Sequence, residues 1–76
     1  MMSEEEKVDE LTKLANIATD MTLDRKLRKQ AIELLKNVGT HEALLVLLQL
    51  AANERLNTDE RDLALKKARD IVKSSH

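Results

Sequence analysis

Apolar residues recur along this chain at helical spacing in four blocks, and no stretch alternates as a half-buried strand would. In the first block Val8, Leu11, Leu14, Ala15, Ile17 and Ala18 form a stripe, while Lys7, Asp9, Glu10, Lys13 and Asn16 fill the other face. Ser3 and Glu6 have capping-box spacing, and this helix is expected to end near Thr19 or Asp20. Thr22 and Asp24 are start signals for a second helix with Leu27, Ala31, Leu34, Leu35 and Val38 as its apolar set. Gly39 follows where a left-handed cap would sit, and Thr40 can cap a third helix running roughly from His41 to Glu54. Asn57 or Thr58 opens a fourth, carrying Leu63, Ala64, Ala68, Ile71 and Val72 before a tail, Ser74-Ser75-His76, expected to fray. The pattern predicts one all-α domain over residues 1–76.

The blocks come in two similar pairs. Shifted by 33 residues, Leu11 falls on Leu44, Leu14 on Leu47, Ile17 on Leu50 and Ala18 on Ala51. Leu23 then meets Leu56, Arg28 meets Arg61, Ala31 meets Ala64, and Val38 meets Ile71. Asp20 and Asp24 fall on Asn53 and Asn57, so short capping side chains stand at both inter-helix positions. Repetition at this period is the mark of stacked helical repeats. The expected architecture is two stacked antiparallel hairpins, a fragment of an α-α superhelix, with one repeat over about 4–39 and a second over about 40–73.

The run Asp24-x-x-Leu27-Arg28-x-x-Ala31-x-x-Leu34-Leu35-x-x-Val38-Gly39 resembles the second helix of a HEAT repeat, the armadillo-type helical repeat, and in particular its compact bacterial form. Asn57, Arg61, Ala64, Ala68 and Ile71 follow the same pattern in the second copy, where Glu60 and Lys67 replace apolar positions and Val72 replaces the final Gly. The resemblance implies a scaffold for protein contacts and no catalytic residues. It implies structural roles for Arg28, Ala31, Gly39, Arg61 and Ala64, the two arginines bonding between neighbouring repeats.

Composition narrows the chemistry. There is no Cys, so disulfides, thiolate zinc sites and cysteine nucleophiles are excluded. Without Phe, Tyr or Trp there is no platform on which bases or sugars could stack. No phosphate loop, nucleophile elbow or paired-histidine metal motif occurs, and His41 and His76 have no convergent carboxylates. Glu4, Glu5 and Glu6 read as a solvated helix start. The sequence therefore points to no enzyme, no cofactor, no metal and no small-molecule substrate. The acidic N-terminus lacks signal-peptide character, and the most apolar stretch, Ala43 to Ala52, is about half a bilayer span. A cytoplasmic protein without membrane contact is expected.

Two regions stand out as candidate contact surfaces. Residues 1–24 carry two basic and seven acidic side chains, whereas 25–38 carry Arg25, Lys26, Arg28, Lys29 and Lys36 against Glu33 alone. That basic helix start is either neutralised by the acidic first helix, left as a solvated face, or used to recognise an acidic partner through Arg25, Lys26 and Lys29. Together with Lys66 and Lys67 it could also form an electrostatic nucleic-acid ridge, against which the net charge of -1 argues. The third helix is apolar nearly all round, with Gln49 the one polar side chain between Ala43 and Ala52. Either it is covered by the other three helices, or Leu45 or Val46 stays exposed where a third repeat would dock, for another protein or a second copy of the chain. The resulting expectation is a small interaction or adaptor module.

Overall fold

The computed structural model describes residues 4–74, with side chains from Glu10 onward. The capping pair Ser3–Glu6, the side chains of Glu4, Glu5 and Glu6, and His76 lie outside the described residues. Four α-helices follow in order, α1 (Glu4–Thr19), α2 (Arg25–Val38), α3 (His41–Ala51) and α4 (Thr58–Ser74), and no strand occurs among the described residues.

Local chemistry sets the ends of these helices. Gly39 closes α2 at φ +68°, a left-handed conformation that side-chain-bearing residues rarely adopt, and its N–H donates to the Leu35 carbonyl. Thr40 caps α3, its hydroxyl oxygen accepting from the Ala43 N–H at 3.1 Å. The third helix stops at Ala51, three residues short of the expected Glu54. Asn53 explains the difference: its side-chain oxygen takes the Arg55 N–H at 2.9 Å and its carbonyl takes the Leu56 N–H at 3.1 Å. An Asn side chain bonding its own backbone in this way diverts the chain from the helix ladder. The turn before α2 is built alike, with Asp20 accepting from the Thr22 N–H and hydroxyl and from the Leu23 N–H. Asp24 stands at the N-cap of α2 without a side-chain capping bond, and Thr22 bonds to Asp20 instead.

The helices pack as a rhombus. α1 lies along α2 and α3 along α4, each pair joined by a short turn that makes antiparallel neighbours. The two hairpins then stack, α1 on α3 and α2 on α4, with α2 and α3 touching along the short diagonal; α1 and α4 do not meet among the described residues. The core runs along that diagonal through Ile32, Leu35, Ala43 and Leu47, all fully buried, with Ala18 and Leu11 from α1 and Ala64, Ala68 and Ile71 from α4.

The structure decides two questions about buried faces. In α2 the inward residues are Arg28, Ala31, Ile32 and Leu35, whereas Leu27 and Leu34 are about half exposed. Ile32 takes the place expected for them because α4 and α3 cover its side of the helix. In α3, Val46 packs against the core, and the exposed leucines are Leu45 and Leu48.

Candidate functional site

The charged residues singled out at the start of α2 converge on the start of α4. Arg28 is buried in the contact between the hairpins, and its Nε and Nη2 donate to the two Glu60 oxygens at 3.1 and 2.7 Å. A third donor, Nη1, reaches the Leu23 carbonyl at the turn before α2. Glu60 is fully buried and also accepts from Asn57 Nδ2 at 3.1 Å. Every polar atom in this buried cluster is partnered, the condition under which a charge tolerates removal from water. The Arg28 hydrogen bonds hold the Glu60 carboxyl below its ordinary value against the opposing pull of burial.

Around this buried pair lies an exposed one. Lys29 Nζ sits 2.9 Å from Asp59 Oδ2, and Arg25 reaches both Asp59 and Glu60 at 3.6 Å. The Lys29 contact lowers the Asp59 pKa. Asp59 and Glu60 lie in the first turn of α4, where the helix dipole favours anions; the cations of α2 lie where it disfavours them. Placing the two helix starts side by side offsets the second arrangement with the first. Of the three side chains considered free for recognition, Arg25 and Lys29 are therefore engaged within the chain. Lys26 is exposed without an ion-pair partner among the described residues.

Glu60, the buried partner of Arg28, is the residue of this cluster that sequence reasoning missed. Its one signal was a charge standing where the first copy has Leu27. Arg61, the counterpart of Arg28, behaves differently: half-buried, it donates Nε to the Ala51 carbonyl at the end of α3, 3.1 Å away. Ala31, Ala64 and Gly39 occupy the helix contact, the helix contact and the α2 cap respectively. His41 and Glu42 are exposed at the start of α3, and no group of three or more metal-capable side chains occurs among the described residues. Two shallow furrows exist, each between side chains of a single helix: one on α2 from Arg25 to Glu33, one on α4 from Asp62 to Lys73. No helix is long and apolar enough to cross a membrane among the described residues.

The apolar surface is organised by the stacking. With about 100° per residue, Leu27 and Leu34 fall on the side of α2 opposite Arg25 and Lys29, hence opposite α4. Leu65 and Val72 likewise fall on the side of α4 opposite Asp59 and Glu60, hence opposite α2. All four are exposed, from 37% for Leu65 to 54% for Val72. The 33-residue correspondence identifies these sides: Leu27 is 46% exposed while its counterpart Glu60 is 0%, and Ile32 is 0% while its counterpart Leu65 is open. On the other two helices Ile17 is exposed where Leu50 is buried, and Leu48 is exposed where Ala15 is half-buried. Each hairpin thus keeps an outer apolar face, Ile17, Leu27 and Leu34 on the first and Leu48, Leu65 and Val72 on the second. Leu45 flanks the second face.

Comparison with known protein families, with curated protein sequences and with solved structures finds no match for this chain.

Proposed function

We propose that this chain is a non-catalytic helical interaction module of two HEAT-like repeats, acting in the cytoplasm and docking through the outer apolar face of its second hairpin. The observation that carries this reading is the strip of Leu45, Leu48, Leu65 and Val72, large apolar side chains left open on α3 and α4. Several large apolar side chains left open on one hairpin of a small domain are costly to leave in water and mark a contact surface. Val46 contributes less to it, since that side chain is half-buried against the core. Size points the same way: a 76-residue chain without disulfide or metal gains from association what its own core lacks. Two repeats are also fewer than the three or so that such arrays need to stand alone.

The basic residues of α2 tune this contact less than the charge pattern suggested, because Arg25 and Lys29 are spent on Asp59. The same pairing weakens the nucleic-acid alternative, which loses two of its five cations.

Light scattering with refractive-index detection tests the reading, since the chain has no aromatic residue for near-ultraviolet absorbance. The mass should rise above the 8.6 kDa monomer with concentration, and Leu45→Glu with Leu48→Glu should return it to that value. A wild-type chain that stays monomeric throughout refutes docking of the chain on itself through this face.

A further inference from the structure

The two outer faces are complementary to each other, and from this we infer that the chain stacks head to tail on further copies of itself. The first hairpin's outer face in one copy covers the second hairpin's outer face in the next. This inference rests on the interaction reading above and names the partner.

The geometry comes from the contact already made inside the chain. There, Lys29 of α2 pairs with Asp59 of α4, and Arg28 and Ile32 are buried beside them. Repeating the same step once more brings α4 of one copy, in the place of α2, against α2 of the next, in the place of α4. The 33-residue correspondence then names the residues that meet. Asp62 stands where Lys29 stood, and Lys26 of the next copy stands where Asp59 stood. The charge pair is kept with its signs exchanged. Both side chains are exposed, and neither has an ion-pair partner among the described residues.

The apolar part of the contact follows the same rule. Leu65 occupies the position of the fully buried Ile32, and it meets Leu27 and Leu34 of the next copy. Leu27 replaces Glu60 at the centre, so this contact does not need a buried charge pair. Arg61, which replaces Arg28, donates Nε to the Ala51 carbonyl and is only half-buried, so its charged head can stay in water at the edge of the contact. On the neighbouring helices the same correspondence sets Leu48 of one copy, in the place of Ala15, against Ile17 of the next, in the place of Leu50. Because the two faces differ, the association is heterologous, and each added copy leaves a free end for another.

Two end-blocked variants test this. Leu27→Glu with Leu34→Glu blocks the first face, and Leu65→Glu blocks the second; all three positions are exposed, and circular dichroism checks that the helices persist. For the wild type, the expected mass climbs with concentration past the dimer. Each blocked variant alone remains at 8.6 kDa, and an equimolar mixture forms a pair of twice that mass and no larger species. Charge reversal gives a second measurement that does not depend on the leucine variants folding. Asp62→Lys weakens association about fivefold at low salt, the upper end for an exposed pair, and adding Lys26→Asp to the same chain restores it. A wild-type dimer that survives Leu27→Glu with Leu34→Glu overturns head-to-tail stacking while leaving docking through the second face intact. A mixture that fails to pair, or a charge reversal that the second substitution does not rescue, also overturns it. A wild type that is monomeric at every concentration overturns head-to-tail stacking and leaves docking of the second face on a different protein.

Discussion

Glu60→Gln removes one charge from the centre of the fold while keeping the side chain's shape. In the native chain the carboxylate receives two bonds from Arg28 and one from Asn57. The amide can accept part of this set, but its NH2 group then faces the guanidinium, and Arg28 is left buried with its charge uncompensated. Removing one partner of a buried pair costs about 3–5 kcal/mol. Here the pair lies just beneath the surface, with the half-exposed Arg25 side chain 3.6 Å from Glu60, so solvent screens it and the low end applies, about 3 kcal/mol. A domain of 76 residues holds about 4–11 kcal/mol in all. The substitution therefore removes a quarter or more of the total and lowers Tm by about 12–24 °C. Urea unfolding followed by far-ultraviolet circular dichroism measures this directly, fluorescence being ruled out by the absence of Trp and Tyr. The companion variant Arg28→Met with Glu60→Leu replaces both charges by apolar groups and should recover most of the loss. A Glu60→Gln loss under about 1 kcal/mol, or a double variant no more stable than the single one, would refute the claim that this pair joins the hairpins.

The same pair sets the acid limb of stability. Glu60 and Asp59 have carboxyl groups held below their ordinary values, so their contribution is present above about pH 4.5 and is lost as pH falls through the lower folded values. Urea midpoints measured from neutral to acid pH should fall more gently for Glu60→Gln than for the wild type. The register of α2 is checked by a pair of substitutions: Leu35→Ala should cost about 2–5 kcal/mol and Leu34→Ala less than about 0.5 kcal/mol, because only the first leaves a cavity. Equal losses at the two sites would show that α2 is rotated. Gly39→Ala should cost about 1 kcal/mol in thermal melts, since an added Cβ meets only carbonyl oxygens at 3.7 Å or beyond and the strain lies in the positive φ.

Helix number, the cap at Gly39, the N-cap at Thr40 and the two Asx-type turns are local features, and each is legible from a few neighbouring residues. The inward face of α2 is not. Leu27, Ala31, Ile32, Leu34, Leu35 and Val38 cover more of the helix than one face holds, so sequence spacing admits either Ile32 or the Leu27–Leu34 edge as the inside. The choice falls to Ile32, which is fully buried in a helix that α4 stacks against, while Leu27 and Leu34 remain about half exposed. For the same reason spacing could not choose between Leu45 and Val46, since in an apolar helix periodicity does not mark the covered face. The candidate charges had a similar limit. Clustering of Arg25, Lys26, Arg28 and Lys29 could be read, but their partners Asp59 and Glu60 lie more than thirty residues away, and the acidic first helix was the nearer supposition.

By itself, then, the sequence determined four helices and their ends to within a few residues, because propensity, capping and amphipathic spacing act over a few neighbours. The tertiary structure alone decided that Glu60 is buried against Arg28, that two of the free-looking cations are paired, and that Leu27, Leu34, Leu65 and Val72 face outward. Burial is a relation between segments distant in the chain. A charge or a leucine acquires its meaning only when stacking places another helix, or water, beside it.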